Sequence, residues 1–251
     1  MTYSLAMETV TSSVNDGIGT IFFSHPKGNS LPTPLLNSLI QAINELGANK
    51  AARVIVLKTG GEKVFCAGAS FDELKAVSNE KEGFEFFSGI SKVILAMRAC
   101  PKFIIGRIQG KAVGGGVGIA AACDYTLAHE SASMRLSELA LGLGPFLIGP
   151  AVERKLGKAN FCYTSIDADW RDSSWCKSNG LYTDVFKTHA ELDDAIDKCA
   201  QRLASFSLDA MVELKKILWE GTEDWETKLF DRAKISGRLV QTEFCKNAIA
   251  G

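Results

Sequence analysis

Three consecutive glycines, Gly114, Gly115 and Gly116, stand between an apolar run, Phe103 to Ile108, and an alanine-rich stretch ending at Cys123. The run reads as a buried strand, the alanines as a short helix, and Gly110 to Gly118 as the hinge between them. With no side chains to cover them, the backbone N–H groups around Gly115 to Val117 lie bare at a helix start, which carries about half a unit of positive charge. Such a place suits an oxyanion or a phosphate without any cationic side chain. Beyond the helix stands a lone acid, Glu138, bracketed by Leu136, Leu139 and Leu141. A carboxyl desolvated in such a segment has a raised pKa, as a general acid or base requires.

The rest of the chain reads as support for this unit. Leu5 to Phe23 alternates around Asn15-Asp16-Gly17, which predicts a hairpin. Thr33-Pro34 predicts a helix start with Thr33 as cap, with Leu35, Leu36, Leu39, Ile40, Ile43 and Leu46 on one face and Gly47 as the stop. A buried strand, Val54 to Leu57, leads into a loop ending Cys66-Ala67-Gly68-Ala69-Ser70, which mirrors the loop at Gly114. A helix follows from about Glu82 to Met97. Loops at the carboxyl ends of neighbouring strands converge in open α/β folds, so Ala69 and Gly115 are expected to face one cleft. Further on come a strand, Asp124 to Ala128, an irregular apolar loop, Ser137 to Pro145, and a helix from about Pro150 to Leu156. From Ala190 the pattern is helical alone, with inward faces Leu192, Ile196, Cys199 and Leu203, then Met211, Leu214, Ile217 and Leu218, then Trp225, Leu229 and Ala233.

Bulk properties narrow the function. The net charge of −1 over 251 residues supplies no basic face for nucleic acid. The longest weakly polar run, Ala112 to Cys123, is far short of the ~20 residues that cross a bilayer. An odd set of 7 cysteines without Cys-x-x-Cys spacing, and no Lys or Arg before Lys27, lead us to expect a cytoplasmic protein. The 3 histidines, His25, His129 and His189, lack metal-ligand spacing, so no metal is expected. Gly116, Gly118 and Ala121 match a dinucleotide fingerprint, but the stretch to Cys123 is too short for a crossover, which needs ~10 to 12 residues. Cys66 reads as a small buried hydrophobe rather than a nucleophile.

The motifs together resemble the crotonase superfamily, the enoyl-CoA hydratases and isomerases. The resemblance rests on Asn29-Ser30-Leu31, on Phe65-Cys66-Ala67-Gly68-Ala69-Ser70-Phe71, on Gly114-Gly115-Gly116 with Cys123-Asp124 downstream, and on Ser137-Glu138 before Leu141-Gly142. It implies an α/β fold, a crotonase-like spiral of β-β-α turns over residues 1–189, with a helical C-terminal trimerisation region over residues 190–251. It implies an acyl-CoA thioester as substrate, no cofactor besides that coenzyme A, and a homotrimer or hexamer. The N–H groups of Ala69 and Gly115 would form the oxyanion hole, Glu138 would move the proton, and Lys27, Ser30, Leu31, Ala67, Gly68, Ser70, Phe71 and Gly114 would lie along CoA.

Two departures matter. Hydratases of this family usually carry a second glutamate, which falls here at Gly118, and the aspartate of the dienoyl isomerases falls at Phe146. Gly144-Pro145-Phe146-Leu147-Ile148-Gly149-Pro150 resembles the methylglutaconyl-type branch and favours a short or branched acyl group. With one carboxylate, a 1,3 proton shift is the simplest cycle. Hydration, decarboxylation of a branched acyl-CoA and a catalytically idle acyl-CoA-binding subunit are the competing readings. A glutamate restored at 118 would complete the water-holding pair if the cleft has room.

Overall fold

In a computed structural model, residues 8–250 are described. The hairpin forms as the alternation predicts, from β1 (Thr9–Asn15) and β2 (Ile18–Ser24), and its predicted start at Leu5 lies outside the described residues. Asp16 and Gly17 take φ of +48° and +80°, the geometry of a two-residue hairpin turn. Helix α1 (Thr33–Ala48) follows with its leucine face buried. Its cap differs from expectation: Pro32 takes the cap position, and Thr33 is the first helical residue. The orphan amide of Thr33 is satisfied from elsewhere, by the Glu73 carboxylate at 2.9 Å. Gly47 is also inside the helix, not its stop.

The chain then repeats one unit. Strands β3 (Val54–Thr59) and β4 (Val64–Cys66) lead to α2 (Phe71–Ala76) and α3 (Glu80–Ala99). Next come β5 (Ile104–Ile108), β6 (Lys111–Val113) and α4 (Gly115–Ala122), then β7 (Tyr125–His129), β8 (Ser133–Arg135) and α5 (Gly149–Asp167). The first strand of each pair joins one sheet and the second joins another, so the chain winds as a spiral. The larger sheet runs β1-β2-β3-β5-β7-β10, and the smaller runs β4-β6-β8-β9, closed by β9 (Arg171–Asp172) and β10 (Asp184–Phe186) around α6 (Ser173–Ser178). Helix α5 extends past its predicted end at Leu156, broken at Gly157 where φ is +73°.

Strand β3 shows why the large sheet reads as continuously apolar. Ile55 and Leu57 face the main core with α1 and α3, while Val54 and Val56 face a second cluster built with α7 (His189–Ala204). A parallel strand covered on both sides has no polar face to show. Helices α8 (Leu208–Leu218), α9 (Trp225–Leu239) and α10 (Glu243–Ala250) complete the chain. Helix α9 lies backbone to backbone on α3, for a Cβ on Gly83 would stand 2.8 Å from the Gly237 Cα.

The C-terminal helices bear out the inward face of Trp225 and Leu229 and correct that of α8. Trp219, Trp225 and Leu229 are buried within this one chain, the two indoles edge to face at 5.7 Å. On α8 only Met211 of the predicted inward face is buried, while Leu214, Ile217 and Leu218 are about half exposed.

Candidate active site

Strand register assembles the site. Cys66 pairs with Ala112 across β4 and β6, which sets Ala67 to Ala69 beside Val113 to Gly115. Val113 pairs with Arg135 across β6 and β8, and the Gly114 N–H donates to the Arg135 carbonyl at 3.0 Å, which sets Glu138 beside the glycines. Three short strands therefore bring together segments far apart in the chain. The backbones approach closely: a Cβ on Gly68 would sit 3.1 Å from the Gly115 nitrogen, and one on Gly114 would sit 3.0 Å from Glu138 Oε1. Gly68 and Gly114 also hold φ of +88° and +50°, so neither position accepts a side chain.

Ala67, Gly68, Ala69, Phe71, Gly114, Gly115 and Glu138 all line one pocket of about 100 Å³, several times the space one water needs. Among the described residues, neither the Ala69 nor the Gly115 N–H donates to a carbonyl of the surrounding turns. Gly115 opens α4 ahead of its first intrahelical bonds, in which the Val117 and Gly118 N–H groups donate to the Gly114 carbonyl at 2.9 and 3.2 Å. Glu138 opens a 3-10 turn, Glu138–Leu141, whose carbonyl is held by the Leu143 N–H at 3.0 Å. Its Oε2 is buried without a hydrogen-bond partner, and burial pushes the carboxyl from 4.5 up to about 7. Leu139 is half exposed, so the apolar surroundings come from the pocket walls, Leu141 among them, rather than from the whole leucine bracket.

The remaining predicted CoA residues are placed differently. Asn29 is buried with φ of +54°, its amide donating to the Gly60 and Val64 carbonyls at 2.7 and 2.9 Å. The Leu31 N–H donates to the Gly68 carbonyl, and the Ala67 N–H to that of Gly28. This segment braces the Ala67 to Ala69 loop. Ser30 is turned inward to His25 Nδ1 at 2.9 Å, Leu31 is fully buried, and Ser70 caps α2 by accepting from the Glu73 N–H. Lys27 is exposed and paired with Asp72, which holds the Asp72 carboxyl below its usual range.

Several pocket residues escaped the sequence reading. Leu74, Phe86, Ile90, Leu143, Leu147 and Ile148 line the cavity, and Gly118 lies buried behind it. A Cβ on Gly118 would meet Ile148 Cγ2 at 2.4 Å and its Cβ at 2.7 Å, so the place of a second glutamate is filled by Ile148. The expectation that Gly118→Glu alone could complete a pair is thereby overturned. Cys66 is fully buried and its thiol is pushed up to about 12, as a small hydrophobe would be. Among the described residues no cluster of three or more His, Cys, Asp or Glu side chains is placed to hold a metal ion, and no helix is long and apolar enough to cross a membrane.

Comparison with known proteins bears on the family and the fold. Residues 13–247 match the family model described as enoyl-CoA hydratase/isomerase. A probable enoyl-CoA hydratase of Rhizobium meliloti is 28% identical over 244 residues, covering 96% of this chain and 91% of that protein. The mitochondrial methylglutaconyl-CoA hydratase of Rattus norvegicus is 32% identical over 194 residues, covering 76% of this chain and 61% of that one. The crystal structure of an enoyl-CoA hydratase from Bacillus halodurans superposes with a TM-score of 0.88 at 19% identity, over 96% of this chain and 98% of that one, a likeness of fold. With its spiral fold, its facing glycine loops and a family match that spans nearly its whole length, the chain belongs to the enoyl-CoA hydratase/isomerase family of the crotonase superfamily.

Proposed function

We propose that the chain catalyses a 1,3 proton shift on a short or branched enoyl-CoA thioester. The observation that carries the reading is that Glu138 is the one carboxyl among the described residues lining the pocket, with Ile148 packed where a second acid would need to stand. The thioester oxygen would sit between the Ala69 and Gly115 N–H groups, which stabilise the enolate. Glu138 as carboxylate takes the Cα proton of a 3-enoyl thioester, then returns it at Cγ to give the conjugated 2-enoyl product. A carboxyl titrating near 7 is matched to both halves of that cycle.

The CoA chain would run out past Ala67, Gly68 and Phe71 toward Lys27, with Ser30, Leu31 and Ser70 shaping the loop beneath it. The family resemblance supports a homotrimer or hexamer, and the half-exposed Leu214, Ile217 and Leu218 supply an apolar face to cover. Hydration is the second reading, favoured by the relatives described as hydratases, with water held by Glu138 and backbone groups. The test is a paired assay with crotonyl-CoA and 3-butenoyl-CoA. Appearance of the conjugated thioester absorbance from the 3-enoyl ester supports isomerisation. Its loss from crotonyl-CoA alone means hydration, and binding without either change means an idle acyl-CoA subunit.

A further inference from the structure

The pocket is unusual in what its wall lacks. Among the described residues no Lys, Arg or His side chain lines it, and Ser137 and Glu138 are its only side chains able to hydrogen-bond. The remaining wall is backbone and hydrocarbon, including Phe86, Phe87, Ile90, Leu143, Phe146 and Ile148. Two cations lie near but off the wall. Arg232 reaches the far side of the Phe146 loop, donating to the Phe146 carbonyl at 3.1 Å, and lines a separate groove with Arg154, Lys158 and Lys228. Lys27 is engaged with Asp72 outside the pocket.

We infer that this site selects an acyl group with no charge of its own, so that thioesters carrying a second carboxylate are excluded. The inference rests on the acyl-CoA reading above and adds its substrate class. A carboxylate carried into the pocket would lose its hydration and gain no counter-ion, and an unpaired buried charge is among the least favourable arrangements a protein can hold. The free N–H groups of Ala69 and Gly115 offer no relief, because a carboxylate taking them would displace the thioester oxygen they face. The Glu138 carboxyl, once ionised, adds like-charge repulsion. A neutral hydrocarbon chain meets none of these costs and gains contact with the phenylalanine and leucine walls.

The experiment uses three saturated, unreactive thioesters on the intact protein: butyryl-CoA, glutaryl-CoA, which adds one carboxylate to the butyryl end, and the methyl ester of glutaryl-CoA. Binding is read by calorimetry at pH 8. The expected result is glutaryl-CoA at least ~10²-fold weaker than its methyl ester, with the methyl ester near butyryl-CoA, the scale of rejection of a ligand group left unpaired. Glutaryl-CoA binding within tenfold of its methyl ester overturns the inference and leaves the acyl-CoA reading intact. Equal weakness of glutaryl-CoA and its ester also overturns it, since the pocket would then discriminate by size. Failure of all three to bind overturns the acyl-CoA reading itself, and the inference with it.

Discussion

Ile148 occupies the space that a side chain at Gly118 would need, its Cγ2 standing 2.4 Å from where that Cβ would be. The missing glutamate is therefore a packed position and not a vacancy. Gly118→Glu alone is expected to destabilise the fold by about 1–3 kcal/mol from overpacking, with a further cost for the buried charge, and to add no hydratase activity. Replacing the obstructing side chain in the double variant Gly118→Glu/Ile148→Gly should recover part of the loss and raise hydration of crotonyl-CoA. Thermal unfolding and the crotonyl-CoA assay on both variants check this.

Glu138 gives the protein a specific pH dependence. Its folded pKa, about 7, lies above the ordinary 4.5, so the native state holds a proton that the unfolded chain releases. Stability from this group is complete below about pH 4.5 and is lost as pH rises toward 7. Glu138→Gln should match the parent at pH 4 and exceed it at pH 8 in urea unfolding. Proton abstraction runs the other way, because it needs the carboxylate, so kcat/KM should rise with pH through about 7 and then level. A pH–rate profile flat from 5 to 8 would contradict the assignment.

A second buried carboxylate is structural. Asp124 Oδ2 lies 2.9 Å from Lys215 Nζ and also accepts the Ile104 N–H, while Oδ1 accepts the Trp219 indole N–H at 2.7 Å. The same ammonium donates to the Lys102 carbonyl at 2.8 Å, so one ion pair ties α8 to the base of β5 and β7. Lys215→Met removes one member and should cost about 3 kcal/mol in denaturant unfolding without altering affinity for an acyl-CoA.

How far the sequence speaks can be seen at particular residues. The glycine hinge and the hairpin turn at Asp16-Gly17 are local properties, set by backbone freedom, whereas the raised pKa of Glu138 comes from burial against pocket walls drawn from distant segments. Strands β4, β6 and β8 are three residues each, too short for any alternation to register, yet their pairing brings Ala69, Gly115 and Glu138 together. The spiral arrangement became legible through the motifs, not the periodicity. Apolar pattern marks a face as buried without naming its partner. Phe87 and Ile90 wall the site from α3, Leu214 and Ile217 turn outward, and the Trp219–Trp225 pair closes inside one chain. Ile148 was hidden for the same reason: only the three-dimensional approach of the Phe146 loop to α4 shows what fills the place beside Gly118.

The exposed α8 face predicts self-association. Light scattering at micromolar concentration should give a trimer or hexamer, and Ile217→Asp with Leu218→Asp should shift it toward smaller species. A stable monomer for the parent protein would contradict this.

Glu138→Gln tests the central claim most directly. It keeps the side chain's shape and removes its ability to carry the proton. Turnover of 3-butenoyl-CoA to the conjugated ester should fall by ~10² or more, the scale of a lost general acid or base, while the dissociation constant for butyryl-CoA stays within about twofold of the parent. Turnover retained at the parental level would show that another group moves the proton.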